Sequence, residues 1–201
     1  MLISPPFGGG RAPVLAKNAV ASSQPLATQA GIEVLQNGGN AVDAALATAI
    51  TLTVVEPTMN GLGGDGFALI WDGKKLHGMN ASGRAPAAWT PEYFAGKAAM
   101  DLIGWNTVTV PGMVAGWVDL SRKFGKLPFA QLFKRAIDYA ENGFPVSPVI
   151  ARQWREAIPI LKNQPGFSQS FLIDGKAPQA GQIWKYPAQA KTLKEIAATE
   201  G

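Results

Sequence analysis

At 201 residues, 47% of them hydrophobic, the chain can bury on the order of 70% of its unfolded surface, which argues against a chain disordered as a whole. Its net charge of +4 comes with 18 basic residues scattered along the sequence, without the basic run interleaved with aromatics that marks a nucleic-acid binder. With no cysteine and one histidine, His77, it excludes disulfides, thiolate catalysis and Cys-based or His-rich metal sites.

Residues 1–16 carry Pro5, Pro6, three consecutive glycines and Pro13, and are expected to form an irregular arm ahead of a single unit over 17–201. They lack a basic stretch followed by an apolar one and a small-residue cleavage site, so no secretory signal is visible and the cytoplasm is the expected compartment. A first helix is expected from Ser23 as its cap, with Pro25 in the first turn, Ala27, Ala30, Val34 and Leu35 on one face, and Gly38 and Gly39 ending it. Asn40 then caps a second helix, AVDAALATAITLTVV, with Asp43 in its first turn against the helix dipole. Its alanines, Ala44, Ala45, Ala47 and Ala49, admit close neighbours on more than one side, which places it in an interior layer. Interrupted by Asp43, Thr48, Thr51 and Thr53 and shorter than the roughly 20 residues a bilayer requires, it is a core helix, and no membrane partner is expected.

After Glu56 and Pro57 the chain breaks into TMNGLGGDG, and FALIWDG and KKLHGMNA read as two strands joined by a turn at Asp72 and Gly73. His77 then stands on a strand, partly exposed. Helices are expected over 111–124 ended by Gly125, over 129–141 ended by Gly143, and over 147–161. In the second of these Leu132, Phe133, Ala136, Ile137 and Ala140 form a core-facing stripe. Residues 143–148 and 165–181 read as loops with a short strand over 170–173, and a last helix covers 187–199.

GLGGDG, residues 61–66, has the bare spacing of a dinucleotide loop, but a helix precedes it and a strand follows, the reverse of what seats a pyrophosphate on a helix N-terminus. Two readings of Gly61, Gly63 and Gly64 remain: bare backbone N–H groups that let a substrate or second polypeptide approach, or a tight turn into a strand. Asp65 in such a turn has Asx-type hydrogen bonding as its ordinary role. No Ser-His-Asp set can be assembled, since G-x-S-x-G is absent and Ser22 and Ser23 sit where a helix cap belongs.

Taken together, GGNAVDAALATAITLTVVEPTMNGLGGDG (residues 38–66), ASSQPLATQAG (21–31) and VTVPGMVAGW (108–117) resemble the N-terminal part of the gamma-glutamyltranspeptidase family, with the resemblance running over 17–201. It implies an α+β fold, the αββα four-layer sandwich of N-terminal-nucleophile (Ntn) hydrolases, of which this chain is an incomplete N-terminal portion. It also implies a precursor that cuts itself and frees a threonine that is nucleophile and, through its amine, its own base. That threonine and the oxyanion-hole glycines lie beyond this sequence in the family. No catalytic residue is therefore expected here, the segment alone is expected to be inactive, and the hairpin strands are expected to lack cover without the remaining chain. The implied partners are a small-molecule amide and the C-terminal small chain of the same precursor, with no metal or organic cofactor.

In typical members an arginine three residues before an Ala-Pro pair grips the α-carboxylate of the γ-glutamyl group. Here, in NASGRAP (residues 80–86), Ser82 holds that position and Arg84 stands two residues later, a shift of about 7 Å along an extended chain on the same face. Either Arg84 binds the substrate carboxylate from a remodelled loop, with Ser82 beside it, or the substrate differs; a structural ion pair for Arg84 also stays open. The variant resembles the branch that includes oxamate amidohydrolase and the cephalosporin-acylase-like members, so γ-glutamyl transfer and hydrolysis of another small amide are both expectations. A non-catalytic binding module on the same scaffold is the reading from a different class.

Overall fold

A computed structural model describes residues 15–201, so most of the expected N-terminal arm lies outside the described residues. Helix α1 (Pro25–Gln36) begins one residue later than a Ser23 cap allows. With Pro25 at the first helical position, residue 24 must be the cap. Gln24 fills it from an extended backbone, its side-chain oxygen accepting from the N–H groups of Leu26 at 2.5 Å and Ala27 at 3.3 Å. Ser23 instead donates to Glu56 Oε2 at 2.7 Å, fastening the entry of α1 to the end of α2 (Ala41–Val55). The two helices pack so closely that a Cβ on Gly31 would stand 2.4 Å from Thr48 Oγ1 and 3.0 Å from the Ala44 carbonyl.

Asn40 caps α2 as expected, accepting from Val42 N at 2.9 Å and Asp43 N at 3.0 Å. Asp43 does far more than answer the helix dipole. Fully buried, its carboxylate accepts from Asn40 N at 2.9 Å, Lys126 N at 3.1 Å and Leu127 N at 3.3 Å. The Asn40 amide donates to the Phe124 carbonyl at 2.7 Å, so the start of α2 is stitched to the end of α3 (Met113–Phe124). Along α2, Ala44, Ala47, Ile50, Val54 and Val55 are buried, whereas Ala45 is exposed. The small-residue surface is thus packed on some sides of the helix and open along the flank that carries Ala45.

Strands β1 (Gly66–Trp71) and β2 (Leu76–Ala81) form an antiparallel hairpin in the register Gly66↔Ala81 to Trp71↔Leu76. Asp72 builds the turn by accepting from Lys74 N at 2.8 Å and Lys75 N at 2.7 Å, and its other oxygen meets His77 Nε2 at 2.7 Å. The His77 hydrogen bond, reinforced by the two turn N–H groups, holds the Asp72 carboxyl down at about 2. The inner face of the hairpin, with Ala68, Ile70 and Met79, leans on the core, while Phe67, Leu69, Trp71 and Leu76 on the other face are all more than half exposed. Neither strand has a second neighbour among the described residues.

The helix expected over 129–141 is two elements, a 3-10 turn (Phe129–Phe133) and α4 (Lys134–Asn142). The tighter coil after Pro128 turns Phe129, Leu132 and Phe133 together into the core. Residues 144–145, expected in a loop, are β3 (Phe144–Pro145), paired with β4 (Ile183–Trp184) from nearly forty residues on. Helix α5 (Pro148–Leu161) starts one residue after the expected Ser147, which caps it by accepting from Ile150 N at 3.3 Å. The strand expected over 170–173 is wrong: 167–171 form the short helix α6 (Phe167–Phe171), with the two phenylalanine rings stacked at 5.5 Å and the Phe171 carbonyl accepting from Trp154 Nε1 at 2.8 Å. Helix α7 (Pro187–Thr199) matches its expected span and buries Ala190 and Leu193 beside α4. Among the described residues no helix is long and apolar enough to cross a membrane.

Candidate functional site

Where β2 ends, Asn80 turns the chain outward by accepting from Ser82 N at 2.9 Å. The next three residues, Ser82, Gly83 and Arg84, are then laid against Thr109 and Val110, which lead into α3. Thr109 Oγ1 donates to the Ser82 carbonyl at 3.1 Å and Val110 N donates to the Arg84 carbonyl at 2.9 Å. Gly83 between them has φ +80, and a Cβ there would lie 1.8 Å from the Val110 carbonyl oxygen, so only glycine fits. Gly112 extends the same contact, since its Cβ would lie 2.5 Å from the Ala81 carbonyl.

This junction floors a cleft of about 480 Å³ lined by Ser82, Gly83, Arg84, Gly112 and, across it on α3, Asp119. Arg84 and Asp119 are the charged residues of its lining. Both are exposed, and neither has an oppositely charged partner within 4.0 Å among the described residues. Among the described residues Arg84 thus forms no structural ion pair. An unengaged guanidinium at the edge of a cleft is suited to take a carboxylate through two parallel hydrogen bonds. Ser82, half-buried, keeps its hydroxyl on the neighbouring Gly83 carbonyl at 3.4 Å, a weak local contact that leaves it able to turn to a ligand.

The glycine-rich loop ends beside this junction, as Met113 N donates to the Gly64 carbonyl at 3.3 Å. Within it Gly64 N donates to the Gly61 carbonyl at 3.1 Å, the tight-turn reading. Asp65 is exposed and makes no side-chain hydrogen bond among the described residues, so the Asx role does not hold. His77 lies on a strand as expected, against Asp72 and edge-on to Phe124 at 5.0 Å, away from the cleft lining. Among the described residues no three His, Cys, Asp or Glu side chains are grouped to hold a metal ion. Sequence reasoning missed Thr109 and Asp119; the alternation of Val108, Thr109 and Val110 was the available signal, and Asp119 carries none.

The sequence profile described as gamma-glutamyltranspeptidase matches residues 27–201. The chain belongs to the gamma-glutamyltranspeptidase family. Among its relatives, the glutathione hydrolase-like YwrD proenzyme of Bacillus subtilis is 40% identical over 184 residues, covering 90% of this chain and 35% of that protein. The oxamate amidohydrolase proenzyme of Klebsiella pneumoniae is 41% identical over 181 residues, covering 86% of this chain and 34% of its own. The crystal structure of a cephalosporin acylase from Bacillus halodurans superposes with TM-score 0.83 at 42% identity, covering 100% of this chain and 40% of that one. The gamma-glutamyltranspeptidase of Helicobacter pylori gives TM-score 0.86 at 31% identity, with 94% and 56% covered. The chain thus has the α+β fold of the corresponding portion of these Ntn hydrolases, and it spans about a third of the length of the two curated relatives.

Proposed function

We propose that this chain is the N-terminal portion of a self-processing amide hydrolase or acyltransferase, acting on a small amide that bears a carboxylate near the scissile bond. The observation that carries the substrate reading is the unpaired Arg84 at the edge of the cleft, beside Ser82. The reaction reading rests on the family: a threonine outside this chain, freed by self-cleavage, attacks the amide carbonyl while its amine takes the proton. The threonine amine passes that proton to the leaving nitrogen as the C–N bond breaks, and the acyl group, left as an ester on the threonine, is transferred to water or to an acceptor amine. The names of the relatives support both halves, since proenzymes among them are called glutathione hydrolase-like, oxamate amidohydrolase and acylase. The substrate is then a γ-glutamyl compound, oxamate or a related small amide. The partner is the C-terminal chain of the same precursor, held to this one after cleavage, and the exposed outer face of the hairpin supports that requirement for cover.

The test is hydrolysis by the protein expressed from its complete reading frame, with γ-glutamyl anilide and oxamate each compared with its carboxamide counterpart. Arg84→Ala should raise KM for the carboxylate-bearing substrate by about 10- to 100-fold, the worth of a charge-assisted bidentate contact, and leave the carboxamide unaffected. An unchanged KM removes Arg84 from the site. Turnover of neither substrate removes the substrate class.

A further inference from the structure

Among the described residues the guanidinium of Arg84 has no ion-pair partner, so the backbone that carries it sets the region it can reach. That backbone is held on both sides of Gly83 by one dipeptide. Thr109 Oγ1 reaches the carbonyl of Ser82 at 3.1 Å and Val110 N reaches the carbonyl of Arg84 at 2.9 Å, while Gly83 fits between them only for want of a Cβ. Of these two bonds one belongs to the main chain and does not depend on the side chain at 109. The other depends on a single hydroxyl. Along residues 108–110 the valines are exposed, 44% for Val108 and 52% for Val110, and the polar Thr109 between them is half-buried, its hydroxyl turned toward the Ser82–Arg84 loop. Packing alone would place the apolar side chains inside. The inward hydroxyl is explained by the carbonyl it meets, which lies two residues from the guanidinium.

We propose that Thr109 is a positioning residue for substrate binding: its hydroxyl fixes the Ser82–Arg84 loop so that Arg84 presents its guanidinium to the substrate carboxylate. This rests on the reading of Arg84 given above. It assigns carboxylate selectivity in this chain to a two-part device, an arginine displaced along the loop and a threonine from the segment before α3 that holds the displaced loop in place. Thr109 touches neither substrate nor reacting atoms, and its effect is transmitted only through Arg84.

The test is a double-mutant cycle in the protein expressed from its complete reading frame, with Thr109→Val, Thr109→Ser, Arg84→Ala and the Thr109→Val/Arg84→Ala pair assayed on the same substrate pairs. Thr109→Val should raise KM for the carboxylate-bearing amide about fivefold, the worth of one neutral hydrogen bond, with kcat within about twofold. Thr109→Ser, which keeps the hydroxyl, should restore KM to within about twofold, and the carboxamide should show no change. With alanine at position 84, Thr109→Val should add nothing. If Thr109→Val does not fold, Thr109→Ala carries the same comparisons. Equal effects on both substrates, an equal effect in the Arg84→Ala background, or no effect at all overturns the proposal while Arg84→Ala alone still raises KM. If Arg84→Ala leaves KM unchanged, the reading beneath it has failed instead.

Discussion

Replacing Asp43 by Asn tests whether the buried carboxylate at the start of α2 ties that helix to the end of α3. The change is isosteric, so no cavity forms and the effect is electrostatic and hydrogen-bonded. In the wild-type chain Oδ2 accepts from Asn40, Lys126 and Leu127 at 2.9, 3.1 and 3.3 Å, and Oδ1 takes a second contact from Lys126 at 3.1 Å. If the asparagine oxygen takes the Oδ2 place, three charge-assisted bonds become neutral ones, each weaker by about 0.5–1.5 kcal/mol. The amide nitrogen then faces the Lys126 N–H, donor against donor, in a fully buried site. The opposite orientation leaves the Asn40 and Leu127 N–H groups without an acceptor, at about 1–3 kcal/mol each. Either way the loss is about 3 kcal/mol, which lowers Tm by about 6–12 °C for a chain of this size. Thermal unfolding followed by far-UV circular dichroism at neutral pH measures it, and Asp43→Ala should fall at least as far. A shift below about 2 °C for Asp43→Asn would refute the reasoning, because the carboxylate would then be replaceable by any group of its shape.

Gly83→Ala puts a methyl 1.8 Å from the Val110 carbonyl oxygen at a backbone of φ +80, so the two strands of the junction must part and both bracketing hydrogen bonds weaken. kcat/KM for the carboxylate-bearing amide should drop at least about tenfold, and wild-type kinetics would show that the junction does not shape the site. The Asp72 carboxyl is depressed from 3.8 to about 2, so its contribution to the hairpin is fully present above pH 3.8 and is lost as pH falls toward 2. A carboxyl titration by NMR should find that low midpoint, moving only part of the way back in His77→Ala, where the Lys74 and Lys75 N–H groups still hold the carboxylate; an unshifted midpoint in the wild type contradicts the contact. The Tyr186 hydroxyl is buried with no hydrogen-bond partner among the described residues, so Tyr186→Phe should leave stability unchanged or raise it by up to about 1 kcal/mol. A loss of more than about 1 kcal/mol in chemical denaturation would reveal a partner for that hydroxyl.

What was legible in the sequence is what local chemistry dictates. Asn40 and Ser147 announce their helices because a cap is a contact over two or three residues, and α7 runs between a proline and its last apolar turn as written. The hairpin follows from alternation and the Asp72 turn. The misses are contacts between distant segments or competition between neighbours. Ser23 loses the cap to Gln24 because Pro25 opens the helix, and its hydroxyl is left for Glu56, thirty-three residues away. Phe144 and Trp184 pair across a span that no periodicity marks, and Phe171 is helical because Trp154 and Phe167 hold it. At the cleft, Ser82 and Arg84 stood out by their place before Ala85 and Pro86, but Thr109 and Asp119 join them only once the loop before α3 folds back on the end of β2. Family membership needed none of these long-range contacts, because the small-residue helix, the glycine loop and VTVPGMVAGW are contiguous strings.

Self-processing is the central claim, and intact mass with N-terminal sequencing of the protein expressed from its complete reading frame, before and after incubation, tests it most directly. Two fragments that stay together, the smaller beginning with threonine, are the predicted result. A single uncleaved chain that remains so through incubation would contradict it and leave a binding module on this scaffold.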